Sequence, residues 1–130
     1  MLVPVVGRAE AVKVVVNAAN PSDSMTREKV ADLFLKKATR WESGRVATPV
    51  DQSDKRSVRG EFSQKLLVKE VAWVKSYWQK MIFSGRATPP AELSSDGEVL
   101  EFVRANPDAI GYVSEGTPLT AGIKPVAVKD

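Results

Sequence analysis

The chain has no cysteine and no histidine in its 130 residues. It also has no apolar run long enough to cross a bilayer, so the mature protein is expected to be soluble. The missing cysteine excludes disulfides, lipid attachment through a thiol, thiolate catalysis and thiolate metal sites. The missing histidine removes the base of histidine-dependent triads and the imidazole ligands of metal centres. Any catalyst would have to work with carboxylates or a Ser-Lys pair. A dominant charge is lacking too: 19 Lys and Arg stand against 16 Asp and Glu, for a net charge of +3. The densest basic cluster, Lys55, Arg56 and Arg59, is interleaved with Asp51, Asp54 and Glu61, not gathered into a stripe with aromatics. Nucleic-acid binding is therefore not expected, and the mild positive balance favours anions weakly.

What is present is ordinary for a globular protein, with 43% hydrophobic and 27% charged residues and no low-complexity tract or solenoid repeat. The length suits one compact domain with a real core. Residues Met1 to Val6 are almost wholly apolar, and Ala9-Glu10-Ala11 fits the small-x-small pattern of signal-peptidase sites, although the apolar run is short. Residues 1–11 read either as the remnant of an export signal or as a frayed N-terminal strand, and the folded domain is expected over residues 12–130.

Val12 to Val16 is a β-branched run ending at Asn17, followed by the loop composition "AANPSDS". Thr26 is placed to cap a helix carrying Val30, Leu33 and Phe34 on one face and ending near Lys37. A turn at Ser43-Gly44 leads to a strand around Val46 to Val50. Apolar positions then return at helical spacing, at Phe62, Leu66 and Leu67 and again at Val71, Val74, Trp78, Met81 and Ile82, as two helices or one bent one. Pro89-Pro90 breaks this pattern. Ser95 and Glu98 stand in capping-box relation at the start of a third helical region with Val99, Phe102 and Val103 on its core face, stopped by Asn106-Pro107. Ala109 to Val113 and Ile123 to Val128 read as strands, the second with Pro125 pointing to an edge. This order describes an α/β sandwich with a small, mostly parallel sheet.

A series of these segments resembles one lobe of the substrate-binding proteins of phosphate ABC transporters. It runs through Val14-Val15-Val16-Asn17, Thr26, Phe34-Leu35-Lys36-Lys37, Trp41-Glu42-Ser43-Gly44, Pro49-Val50, Phe62, Tyr77-Trp78, Phe83-Ser84-Gly85, Pro89-Pro90, the Ser95 to Val103 helix and Ile110-Gly111-Tyr112. The resemblance implies a single periplasmic-binding-protein-like lobe with a mixed, mostly parallel sheet flanked by helices. It implies an exported, periplasmic protein and a small oxyanion such as phosphate as ligand. A membrane transporter or sensor protein is the implied partner, with homo-oligomers also open. Trp41, Trp73, Tyr77 and Trp78 read as packing aromatics, and Gly44, Gly85 and Gly111 as turns or close backbone approaches.

Members of that family commonly carry an Arg followed by Ser-Gly-Thr at the start of the second major helix, a place where amide donors and the helix dipole suit an oxyanion. Counting back from Phe62, those positions fall here on Gln52 and on Arg56, Ser57 and Val58. Two readings follow. In one, Gln52, Ser53, Arg56, Ser57 and Arg59 form a residual anion site in which basic side chains replace the hydroxyl geometry. In the other, Ser57 caps the helix and Arg59 pairs on the surface with Asp51, Asp54 or Glu61. No enzyme activity, metal or cofactor is expected, since those carboxylates are read as lying in a solvated loop with ordinary ionisation. The functional expectation is a solute-binding-like protein that takes a small oxyanion weakly. The alternative is a single-lobe interaction or sensor module that has lost transport.

Overall fold

A computed structural model describes residues 11–130. The processing signal or frayed strand expected at the N-terminus therefore lies outside the described residues as far as residue 10. Among the described residues six strands form one sheet: β1 (Val12–Asn17), β2 (Ser24–Thr26), β3 (Thr48–Gln52), β4 (Ala91–Leu93), β5 (Ala109–Ser114) and β6 (Ile123–Lys129). Their order across the sheet is β2-β6-β1-β5-β3-β4. β1 runs antiparallel to β5 and β6, while β2 with β6, β3 with β5 and β3 with β4 are parallel, so three of the five pairings are parallel. The sheet is mixed and mostly parallel, as expected.

Alternation along the two central strands sorts their side chains between two cores. Val14, Val16, Ile110 and Tyr112 face one layer, which holds α1 (Arg27–Phe34), α2 (Ser57–Phe62) and α3 (Val71–Phe83). Val15, Ala109 and Val113 face the other, where α4 (Asp96–Ala105) supplies Val99, Leu100 and Val103. Gly111 sits under α4, where a Cβ would lie 2.7 Å from Val99 Cγ1 and 3.1 Å from Val50 Cγ2. The glycine is what lets helix and sheet meet.

Local signals explain most boundaries. The Thr26 hydroxyl accepts the Lys29 amide at 3.0 Å and starts α1. α1 ends at Phe34, a turn earlier than the spacing to Lys37 predicts, and Lys36 takes the left-handed conformation just beyond. Ser95 accepts the Glu98 amide at 3.1 Å, and the Glu98 carboxylate accepts the Ser94 amide at 2.8 Å, so both halves of a capping arrangement are made. At the other end of α4, the buried Asn17 amide donates to the carbonyls of Val103 and Arg104 at 2.9 and 3.0 Å. It satisfies acceptors that the helix itself leaves free.

The differences are local. The second predicted strand is shifted to Thr48–Gln52. The region from Phe62 to Ile82 is two helices, joined by a π-helical turn at Ser63–Leu67 that ends at Val68 in the left-handed region. β2 and β4 are three-residue edge strands in segments whose Ser and Pro content reads as loop. β6 is not an edge strand overall, but Pro125 falls before the stretch that β2 covers, so its missing amide donor leaves no ladder bond unmade. Trp41 and Trp78 are buried as expected, whereas Trp73 and Ile82 are exposed.

Replacing Gly111 with Ala is expected to destabilise the fold by ~1–3 kcal/mol through overpacking against Val99 and Val50. Gly60→Ala, in α2 with open space around the added carbon, is expected to raise stability by ~0.5–1 kcal/mol. Urea midpoints of the two variants, moving in opposite directions, check the assignment.

Candidate functional site

β3, β4 and β5 point their carboxyl ends the same way, and α2 and α4 begin there, following β3 and β4 respectively. In open α/β sheets this is the edge at which ligands bind. All five candidate residues lie at or just beyond the end of β3, but the structure divides them into three kinds.

Arg59 is structural. Its side chain is 3% exposed and pairs at 3.0 Å with Asp51, itself 9% exposed. The same guanidinium donates to the Gln52 carbonyl at 3.1 Å. Tyr112 donates its hydroxyl to Asp51, and the Gln52 amide donates to Asp51 at 2.8 Å. This corrects the expected surface pairing of Arg59, and it corrects the reading of Asp51 as a solvated loop carboxylate: Asp51 is inside β3. Burial pushes its carboxyl above the ordinary range, against the opposing pull of Arg59, Tyr112 and the Gln52 amide. Burial likewise raises the Tyr112 hydroxyl, and the Asp51 charge adds to the rise. Phe62 stacks on the Tyr112 ring at 3.9 Å between centroids. Helical spacing from Arg59 to Phe62 and Leu66 puts Arg59 on the core face, which is the signal that the charge-based reading passes over.

Gln52 and Arg56 form the second kind. Gln52 is fully buried, yet its side chain is turned along the strand end. Its amide nitrogen donates to the Tyr112 carbonyl and to Asp96 Oδ1, both at 2.9 Å, and its oxygen accepts Arg56 Nε at 3.0 Å. Arg56 continues to Asp96 Oδ1 at 3.1 Å, and Thr117 donates its hydroxyl to Asp96 Oδ2 at 2.9 Å. Asp96 and Thr117 do not figure among the sequence candidates, because they come from α4 and from the loop after β5. Burial alone would raise the Asp96 carboxyl, but hydrogen bonds from Gln52, Thr117 and Ser114 outweigh it and hold the group below the ordinary range.

Ser53 and Ser57 are the third kind, at the loop surface. The Ser53 hydroxyl accepts the Lys55 amide at 3.2 Å. Ser57 is the first residue of α2, and the N-cap is Arg56, whose side chain makes no capping bond, so the expected Ser57 cap is not formed. Asp54 lies beside them and pairs with Lys75 of α3, whose hydrogen bond and charge lower its pKa. Among the described residues no group of three or more carboxylates is placed to hold a metal ion, and no helix is long and apolar enough to cross a membrane.

No protein family model matches the chain, and no curated protein does. Solved structures do. The ABC-type phosphate transport receptor from Vibrio cholerae is similar with a TM-score of 0.72 at 18% identity, covering 92% of this chain and 46% of its own. A substrate-binding protein from Clostridium perfringens, described as that of a phosphate ABC transporter and holding bound phosphate, gives 0.69 at 19%, with 92% and 45% covered. PstS from Borrelia burgdorferi gives 0.70 at 16%, with 92% and 47% covered. The chain thus has the α/β fold of part of these receptors and spans about half their length. The resemblance carried by its sequence and the similarity of its structure point to the same proteins.

The buried pair makes a direct prediction. Arg59→Met is expected to cost ~3–5 kcal/mol, because it leaves the Asp51 carboxylate buried without its cation, and adding Asp51→Asn to it is expected to recover part of the loss. Urea unfolding of the two variants measures both.

Asp96 generates a second prediction, in pH. Its folded-state pKa lies below the unfolded value, so its contribution is present above about pH 4 and is lost as pH falls through the lowered value. Asp51 acts with the opposite sign, its contribution being lost as pH rises through a raised value. The stability gap between wild type and Asp96→Asn is therefore expected to narrow on acidification below about pH 4, as read from urea midpoints across the acid range.

Proposed function

We propose that residues 12–130 form a receptor-like lobe of the phosphate-transport type, exported from the cytoplasm, that takes a small oxyanion weakly at the end of β3. The observation that carries this reading is the similarity in fold over 92% of the chain to receptors of that type, one of which holds phosphate. The chemistry of the strand end supports it: Gln52, Arg56 and Thr117 bring amide, guanidinium and hydroxyl donors together, with Ser53 and Ser57 beside them. Charge-assisted donors in such a fork suit a tetrahedral or planar oxyanion. The Arg56–Asp96 contact is partly exposed, and water competes there for the guanidinium. Affinity is therefore low unless a second surface, on a membrane transporter, a sensor or another copy of the chain, completes the enclosure. No catalytic role is proposed.

One observation favours the alternative, an interaction module that no longer carries solute. Each guanidinium near the site already has a carboxylate of the chain as its partner, Asp51 for Arg59 and Asp96 for Arg56. An exposed apolar pair, Ile82 and the 95% exposed Phe83, does lie on α3, but about 12 Å further along the helix than Lys75, the residue that touches the loop.

Titration calorimetry with phosphate and with sulfate at several salt concentrations separates the two. The oxyanion reading expects a weak binding heat that shrinks as salt rises and is reduced several-fold by Arg56→Gln. Silence from folded wild-type protein at millimolar phosphate, together with self-association or capture by a transporter component, would favour the interaction module.

A further inference from the structure

Resting on the oxyanion reading above, we propose that Asp96 is an internal surrogate ligand: its carboxylate occupies the donor cradle of Gln52, Arg56 and Thr117, and an external oxyanion enters only by displacing it. Three features carry this. First, Asp96 is not the cap of α4: Ser95 is, its hydroxyl accepting the Glu98 amide while the Glu98 carboxylate accepts the Ser94 amide. The Asp96 carboxylate instead leans across to β3 and to the loop after β5. Second, its two oxygens divide the donors as a bound anion would, Oδ1 taking Gln52 and Arg56 at 2.9 and 3.1 Å and Oδ2 taking Thr117 at 2.9 Å. Third, the contact is accessible, with the Arg56 side chain 35% and the Asp96 side chain 17% exposed, whereas the neighbouring Asp51–Arg59 pair is buried at 9% and 3%, with the exposed Glu92 carboxylate reaching Arg59 at 3.7 Å. A ligand can reach one ion pair and not the other.

The arrangement defines what can compete. A tethered carboxylate is present at high effective concentration, so a competitor must offer at least two acceptor oxygens and a full negative charge. Neutral solutes cannot replace it. Displacement also frees Asp96 as a like charge at the rim, which repels the incoming anion and keeps affinity low in the wild-type protein.

The test compares inorganic phosphate binding by wild type, Asp96→Ala, Asp96→Asn and Asp54→Asn, using calorimetry and the NMR signals of the Gln52 side-chain amide and the Thr117 backbone. Asp54→Asn removes the same charge from the ion pair to Lys75 and controls for net charge. Circular dichroism and a thermal melt establish that each variant is folded, and Asp96→Asn preserves side-chain shape should the alanine variant unfold. The expected result is a gain of about tenfold or more in phosphate affinity for the Asp96 variants, or the appearance of binding where wild type shows none. Shifts at Gln52 and Thr117 accompany it, and Asp54→Asn changes affinity by less than about twofold. Wild-type binding that the Asp96 variants leave unchanged or weakened overturns the surrogate role alone. An equal gain in Asp54→Asn overturns it as well, since net charge then suffices. Silence from every folded variant overturns both this inference and the oxyanion reading.

Discussion

The Asp51–Arg59 pair is the interaction on which the carboxyl end of β3 depends. It joins β3 to α2, and through the Tyr112 hydroxyl it joins both to β5. An ion pair this deep gains little net energy, because desolvation offsets the Coulomb attraction. What it fixes is geometry. With Arg59 held on the Gln52 carbonyl, the last residue of β3 cannot rotate, and the Gln52 side chain is committed to the strand end, where Arg56 and Asp96 meet it. Phe62, one turn further along α2, stacks on Tyr112 and meets Phe34 edge-on at 4.7 Å, so the polar knot is closed from the core side by aromatic packing.

The opposite face of the same strands imposes the second constraint. α4 approaches β5 closely because Gly111 carries no side chain, and Asn17 holds the far end of α4 through two carbonyls. Helix position is thus set at both ends, and the first turn of α4 is delivered to the strand end with Asp96 in reach of Gln52. The packing of one face and the buried charges of the other converge on the same few residues. Placement of the donors is therefore a property of the whole sheet and not of the loop alone.

Most of the fold is legible in the chain. The β-branched run ending at Asn17, the Thr26 cap, the Ser95–Glu98 capping relation and the stop at Asn106-Pro107 each state a local physical preference that the tertiary structure leaves in place. The short edge strands β2 and β4 are not legible, because three residues of pairing are decided by neighbours and not by their own composition. The site is half legible. Gln52, Ser53, Arg56, Ser57 and Arg59 do cluster, as contiguity ensures, yet their roles separate by burial, which charge pattern alone does not reveal. Arg59 is marked as inward by its spacing to Phe62 and Leu66. Asp96 and Thr117 carry no such mark, since nothing local connects them to a loop some forty residues or more away.

That separation matters for which of these side chains an outside group can reach. A guanidinium is available to an outside anion only where water can reach it, and here the two near the end of β3 stand at opposite limits. Arg59 is committed inward, where removing its partner would strand a charge in the core. Arg56 is committed to a carboxylate that remains within reach of water, its side chain 35% and that of Asp96 17% exposed. On the oxyanion reading proposed above, a change in ligand response that spares the fold would pass through the Arg56–Asp96 contact. The interior pair beside it fixes the end of β3 against which that contact is made.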